Sequence, residues 1–226
     1  MFKLNIDNVE YGFPERLSVT QWKGIMQWDL AHTSTWPKVI SNLMGIHPKD
    51  LKDISDAQLE LCMGVVYAKV SERKEISWKD PNTLTFGEWV DLDVWIGKGT
   101  KNNIDDILRI LGVTPHADEA MYILDAYINW RNFMYRQYSE LFGIEVDEDD
   151  EIIVDEDRTP NPDAIANGWY TIIINLAGDN ILNIDKITEQ PIIPTLNFMA
   201  HQKAKVVAEN FRQLKQQREY ELQRRR

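Results

Sequence analysis

The chain has 226 residues with 25 Lys+Arg against 36 Asp+Glu, a formal net charge of −11, and is 43% hydrophobic and 27% charged. That composition is globular rather than disordered, and the length suits one large domain or two small ones. The single Cys62 excludes a disulfide framework and a Cys-rich zinc site, and the acidic balance argues against a surface built for nucleic acid. No apolar run approaches the ~20 residues of a membrane span, and MFKLNIDNVEYGF lacks the apolar core of a signal peptide. A soluble protein of a reducing compartment is expected.

The charge is uneven along the chain. Nine of the thirteen residues from Glu145 to Asp157 are acidic, whereas Lys203–Arg226 carries eight Lys/Arg against three Glu. The body is therefore anionic and the C-terminal tail cationic.

In chain order, Phe2, Leu4 and Ile6 alternate with polar residues, Asp7-Asn8 offers a turn, and Val9, Tyr11 and Phe13 resume the alternation, which predicts a β-hairpin. Ser18-Val-Thr-Gln21 has the form of a capping box, followed by Trp22, Ile25, Met26 and Leu30 on one helical face. Trp36–Met44 reads as a helix with Pro37 in its first turn and Gly45 past its end. A second capping box, Ser55 to Gln58, opens a helix to about Ser71 with the stripe Leu59, Cys62, Met63, Val66 and Val70. The polar stretch 72–82 is a boundary, with Glu75–Trp78 a short strand within it.

Thr85 and Glu88 cap the next helix, through Trp95 or Ile96, and Gly97–Thr100 is a loop. A short helix over Ile104–Leu111 buries Ile104, Ile107, Leu108 and Leu111. The longest apolar stretch, about 116–142, follows Pro115, marked by Met121, Leu124, Ile128, Phe133, Tyr135, Leu141 and Phe142 and stopped by Gly143. The acidic segment 144–160 is a loop, since nine like charges in thirteen residues repel too strongly to pack. Asn161–Ala177 is helical with Gly178 as its cap, Asp179–Gln190 is a short helix or turn, and Thr195 begins a helix that reaches Arg224. That last helix is about 45 Å long at 1.5 Å per residue, more than a body of this size needs. Its stripe is Leu196, Met199, Val206, Ala208, Phe211 and Leu214. The expected fold is mainly α, a multi-helix domain with a small N-terminal β-hairpin and a long C-terminal helix. Its divisions are 1–71 (hairpin plus helices), 83–143 (central helices), 144–160 (acidic loop) and 161–226 (C-terminal helices with a basic tail).

Candidate chemistry is sparse. His32, His47, His116 and His201 fall in different segments with no i, i+4 pair, so no metal-ligand spacing exists. Cys62 sits on an apolar stripe, the place of a small buried hydrophobe rather than a nucleophile. Asp147, Asp149 and Glu151 have the spacing of a calcium loop, but Ile152 and Arg158 stand where that loop needs Gly and a bidentate Glu. Gly97-Lys-Gly-Thr100 lacks the upstream Gly of a phosphate loop. Paired carboxylates such as Asp91/Asp93 and Asp105/Asp106 are ordinary on an acidic helical protein. No catalytic residue, metal or cofactor is assigned. The interface candidates are Phe211, Arg212, Arg218, Arg224 and Arg225. The arginines read first as a solvated helix end favoured by its dipole, then as an intermolecular contact, and last as phosphate ligands.

Three stretches carry a resemblance: LSVTQWKGIMQWDLAHTSTWPKVISNLMGI (17–46), LTFGEWVDLDVWI with NNIDDILRIL (84–96 and 102–111), and GWYTIIINLAGDNILNIDKITEQPIIPTLNFMAHQKAKV (168–206). Together they cover roughly half the chain, and their order resembles a group of tailed-bacteriophage neck and tail proteins. Leu111-Gly-Val-Thr-Pro115 stands where related sequences often carry Arg-Pro. The resemblance implies a non-enzymatic structural protein of the virion, one copy in an oligomeric ring at the neck or portal–tail region. Its partners would then be copies of itself and other phage proteins (portal, neck or tail), with no membrane or nucleic acid. It would be located in the virion and, during assembly, in the host cytoplasm. The alternative it implies is a tail assembly chaperone, absent from the mature particle.

Overall fold

The computed structural model describes residues 2–6, 8–112, 116–143 and 162–224, with the side chains of 53, 162 and 221–224 left out of the description. The acidic segment 144–160, with its Asp147–Glu151 spacing, Pro115 and Arg225 lie outside the described residues. The fold is mainly α, with one small antiparallel hairpin and a long C-terminal helix. The chain forms two compact units, each discontinuous in sequence: Met1–Lys79 with Gly99–Ile128, and Asp80–Lys98 with Asn129–Arg226.

In the first unit, strands β1 (Lys3–Ile6) and β2 (Val9–Gly12) pair with Ile6 opposite Val9 and Leu4 opposite Tyr11. Asn8 takes the left-handed turn conformation, φ 68°, which Asn tolerates through its short polar side chain. Leu4, Ile6 and Phe13 face inward. The Ser18 box caps α1 (Val19–Ile25): Gln21 N–H donates to Ser18 Oγ and Ser18 N–H to Gln21 Oε1. The helix stops at Ile25, so Met26 is its exposed cap and Leu30 lies beyond it. The inward face is therefore Trp22 and Ile25 alone. Helix α2 (Trp36–Met44) ends at Gly45, φ 66°, as the Pro and Gly positions require.

Helix α3 (Asp56–Ser71) starts from the Ser55 box and buries Cys62, Met63 and Val66. The expected strand at Glu75–Trp78 does not form. The flanking backbone instead makes single bonds to helices, Lys74 N–H to the Asp118 carbonyl at 3.1 Å and Lys79 N–H to the Leu111 carbonyl at 3.0 Å. These satisfy the donors without a ladder. Helix α5 (Thr100–Leu111) buries the four expected aliphatics and begins four residues earlier than its apolar stripe, directly after Gly99.

The second unit contains α4 (Phe86–Gly97), α7 (Ser139–Phe142), α8 (Pro162–Leu176), α9 (Ile184–Thr188) and α10 (Ile192–Arg224). Thr85 and Glu88 make the third capping box. Gly87 permits a close approach: a Cβ there would lie 3.0 Å from Thr188 Cβ and 3.2 Å from its carbonyl oxygen. Helix α6 (Ala117–Gln137) gives residues through Ile128 to the first unit and those from Asn129 to the second. Its buried apolar line is Ala117, Ala120, Ile123, Leu124, Tyr127 and Met134, and Tyr138 is buried just past its end. Of the expected markers, Phe133 is instead 58% exposed, and Met121, Ile128 and Tyr135 are half-buried. Apolar residues on several faces of this helix obscured the line.

Candidate functional site

Two arrangements in the second unit stand out, one a buried polar node and one an exposed surface. Asp93 sits on the inward face of α4, four residues after Trp89 and seven after Phe86, and is 2% exposed. Its Oδ1 accepts from Arg131 Nε at 2.7 Å, from Arg131 Nη2, and from the Tyr135 hydroxyl at 2.9 Å. Its Oδ2 accepts from Trp169 Nε1 at 2.8 Å. The Arg131 guanidinium also lies 4.6 Å over the Tyr135 ring. Aromatic rings wall the node: Trp130 edge-on to Trp89 at 5.5 Å, Phe142 against Tyr135 at 4.3 Å, and Phe86 edge-on to Trp169 at 5.8 Å. Asp93 is thus no solvated carboxylate, as its pairing with Asp91 suggested.

Burial, and then the Asp93 charge, push the Tyr135 hydroxyl far above the ordinary tyrosine range, so it stays protonated and donates. Both carboxylate oxygens are occupied by donors from α6 and α8. That arrangement clamps three helices and leaves no base facing a substrate. The clue in the sequence was a charged residue at a core position of an apolar helix face.

The first unit has a related clamp. Arg16 reaches Asp118 with Nε 2.9 Å from Oδ2 and Nη2 2.7 Å from Oδ1, and its Nη2 lies 2.8 Å from Glu119 Oε1. Burial raises the pKa of Asp118, but the hydrogen bond and charge of Arg16 outweigh it, and the carboxyl lies below its usual range. Both acids occupy the first turn of α6, where the helix dipole favours negative charge.

Other chemical candidates stay apart. Cys62 is fully buried, and burial pushes its thiol up in pKa, away from nucleophilic character. Among the described residues no group of three or more His, Cys, Asp or Glu is placed to hold a metal ion. No helix there is long and apolar enough to cross a membrane.

The exposed surface is α10. Its root is fixed: Ile192 N–H donates to the Leu84 carbonyl at 3.0 Å, and Phe86 N–H to the Gln190 carbonyl at 2.7 Å. Ile192, Leu196 and Met199 are buried, and the Tyr138 hydroxyl meets Asn197 Oδ1 at 2.8 Å. The helix begins at Ile192 rather than Thr195, with Pro194 in the first turn, where the backbone N–H has no intrahelical partner to lose. Lys203 Nζ caps the carbonyls of Glu140 and Leu141 at the end of α7.

From His201 to Tyr220 every residue of α10 is exposed. Phe211 is 69% exposed and Leu214 55%. Ala200, Ala204, Val207, Phe211 and Leu214 recur at alternating spacings of four and three, a seam of the kind that packs against another helix. Arg212 and Arg218 stand exposed beside Phe211 and beyond Leu214. Arg224 ends the helix, with its side chain outside the description, and Arg225 lies beyond the described residues. The structure therefore brings Phe211, Arg212 and Arg218 onto one projecting helix and joins none of them to the Asp93 node.

No protein-family model, no curated protein and no solved structure matches this chain.

Proposed function

We propose that the protein is a non-enzymatic structural subunit of a tailed-bacteriophage virion, acting as one copy in an oligomeric ring at the neck or portal–tail region. The observation that supports this most is the exposed run 201–220 of α10. Helices in proteins draw most of their stability from packing an amphipathic face, and this stretch carries such a face while every one of its described residues stays exposed, with Lys203 bonded back to the end of α7. A long exposed helix with a heptad-spaced seam suits permanent assembly. Heterologous contacts between identical subunits close into rings when the rotation allows. The order of the three resembling stretches supplies the phage context.

A tail assembly chaperone is the second reading, favoured by the same seam, since an exposed apolar helix face also suits transient capture of another helix. Quantitative mass spectrometry of purified particles separates the two. A structural subunit is present at stoichiometric levels that survive salt washing, while a chaperone is absent from particles and present in lysates of infected cells. Absence from particles overturns the structural reading.

A further inference from the structure

The geometry points to the receiving surface for that seam: the outer face of α3 on a second copy of this chain. This inference rests on the self-assembling reading above. Helix α3 carries apolar lines on both its inward and its outward side, whereas a helix with one partner buries one stripe and leaves the other face polar. Cys62, Met63 and Val66 face inward. Ala57, Leu61, Gly64 and Ala68 face outward, all exposed, with Leu61 58% exposed. These four recur at four, three and four residues, the same period as the α10 seam. A Cβ built on Gly64 meets nothing within 4 Å, so a helix can approach closely along that line.

Charge selects this pairing over a symmetric one. In heptad terms the positions flanking the α10 seam are His201, Lys203, Ala208, Asn210, Lys215 and Gln217, with no acid among them; Lys203 turns to the α7 carbonyls, Lys215 stays exposed, and Arg218 continues the seam line itself. Two such helices in parallel would set Arg218 against its counterpart inside the seam, with no acid at the flanking positions to offset it, which is destabilising in coiled-coil pairs. Glu60 flanks the outer line of α3, Glu72 follows just past its end, and Asp56 is exposed in its first turn. Its one cation, Lys69, turns to the carbonyl of Glu15. A basic-flanked seam therefore meets an acid-flanked one in a head-to-tail contact, which propagates from copy to copy. A bilayer is a poorer occupant, because the seam is one residue wide with alanine at two of its five positions. Nucleic acid is poorer too, because Glu209 and Glu219 interrupt the cations of α10.

The test uses the full-length chain with native Cys62 retained, since it is buried, and the wild-type chain treated with the same reagent serves as the control. Two single variants, Leu61→Cys and Val207→Cys, are prepared separately; both sites are exposed, and circular dichroism checks that each keeps the wild-type helix content. Each is treated with a short bis-maleimide alone and as an equimolar mixture. The expected result is a cross-linked dimer at least fivefold more abundant in the mixture than in either variant alone. Leu61→Lys on the unlabelled chain should weaken self-association at least tenfold by analytical ultracentrifugation. An oligomer that forms normally but cross-links Val207→Cys to itself, or not at all, overturns the α3 assignment and leaves the ring reading standing. A chain that stays monomeric at all concentrations overturns both. Salt-sensitive retention on duplex DNA, or on anionic vesicles, without cross-linking overturns the assignment in favour of that ligand.

Discussion

Helix α10 is two regions in one element. Over Ile192–Met199 it buries three apolar side chains and hydrogen-bonds its root to the start of α4, while over His201–Tyr220 it buries none. The chemistry of the two stretches is similar, with Leu and Val or Met at helical spacing in each. The same apolar residues are structural where the body covers them and available for recognition where it does not. The Asp93 node sharpens the contrast, since there a charged group is structural because donors surround it.

The largest expected effect falls on that node. Asp93→Ala strands Arg131 beside a vacated acceptor, and denaturant unfolding should show a loss of about 3–5 kcal/mol. A loss below about 1 kcal/mol would show that the clamp is dispensable. Leu196→Ala, at the buried root of α10, should cost about 2–5 kcal/mol. The equivalent change on the free stretch, Leu214→Ala, should stay within about 0.5 kcal/mol of wild type while weakening self-association. Comparable losses at the two leucines would erase the distinction between the halves of α10.

The two clamps also predict opposite pH limbs. The carboxyl of Asp118 lies below its ordinary value when folded, so its stabilisation is present above the unfolded value of about 3.9 and disappears as pH falls through the folded one. Asp118→Asn should flatten the acid limb of stability. The hydroxyl of Tyr135 lies above its ordinary value, so its stabilisation holds below about pH 10 and is lost as pH rises further. Tyr135→Phe should flatten the alkaline limb in pH-dependent denaturant melts. The smallest effect on the body is expected from truncation after Leu214, which should move its melting temperature by no more than about 2 °C while weakening assembly. A larger fall would make the tail part of the core.

Much of the local structure was legible because its causes are local. Three capping boxes, at Ser18, Ser55 and Thr85, opened helices where their spacing demanded, and Gly45, Gly143 and Gly178 took left-handed caps. The hairpin followed from alternation and from Asn8. Errors came where local pattern was ambiguous. Leu30 continued a periodicity past the end of α1, Glu75–Trp78 had strand-like residues but no neighbouring strand to pair with, and α6 offered apolar residues on several faces. Of the interface candidates, Phe211, Arg212 and Arg218 lie on the exposed stretch of α10. The outward face of α3 was not visible in advance, because an apolar helix read alone does not declare which of its sides the body will cover.

The three capped helix starts, the hairpin and the polarised charge were determined by the sequence by itself, since caps, alternation and charge act over a few residues. Only the tertiary structure decided that Asp93 is a buried clamp while Asp91, two residues away, is exposed, and that two discontinuous units share the chain. It also decided that Leu196 is core while Leu214, on the same helix, is surface. Those outcomes depend on which residues far apart in sequence meet, and burial, the quantity that assigns each side chain its role, exists only once they have met.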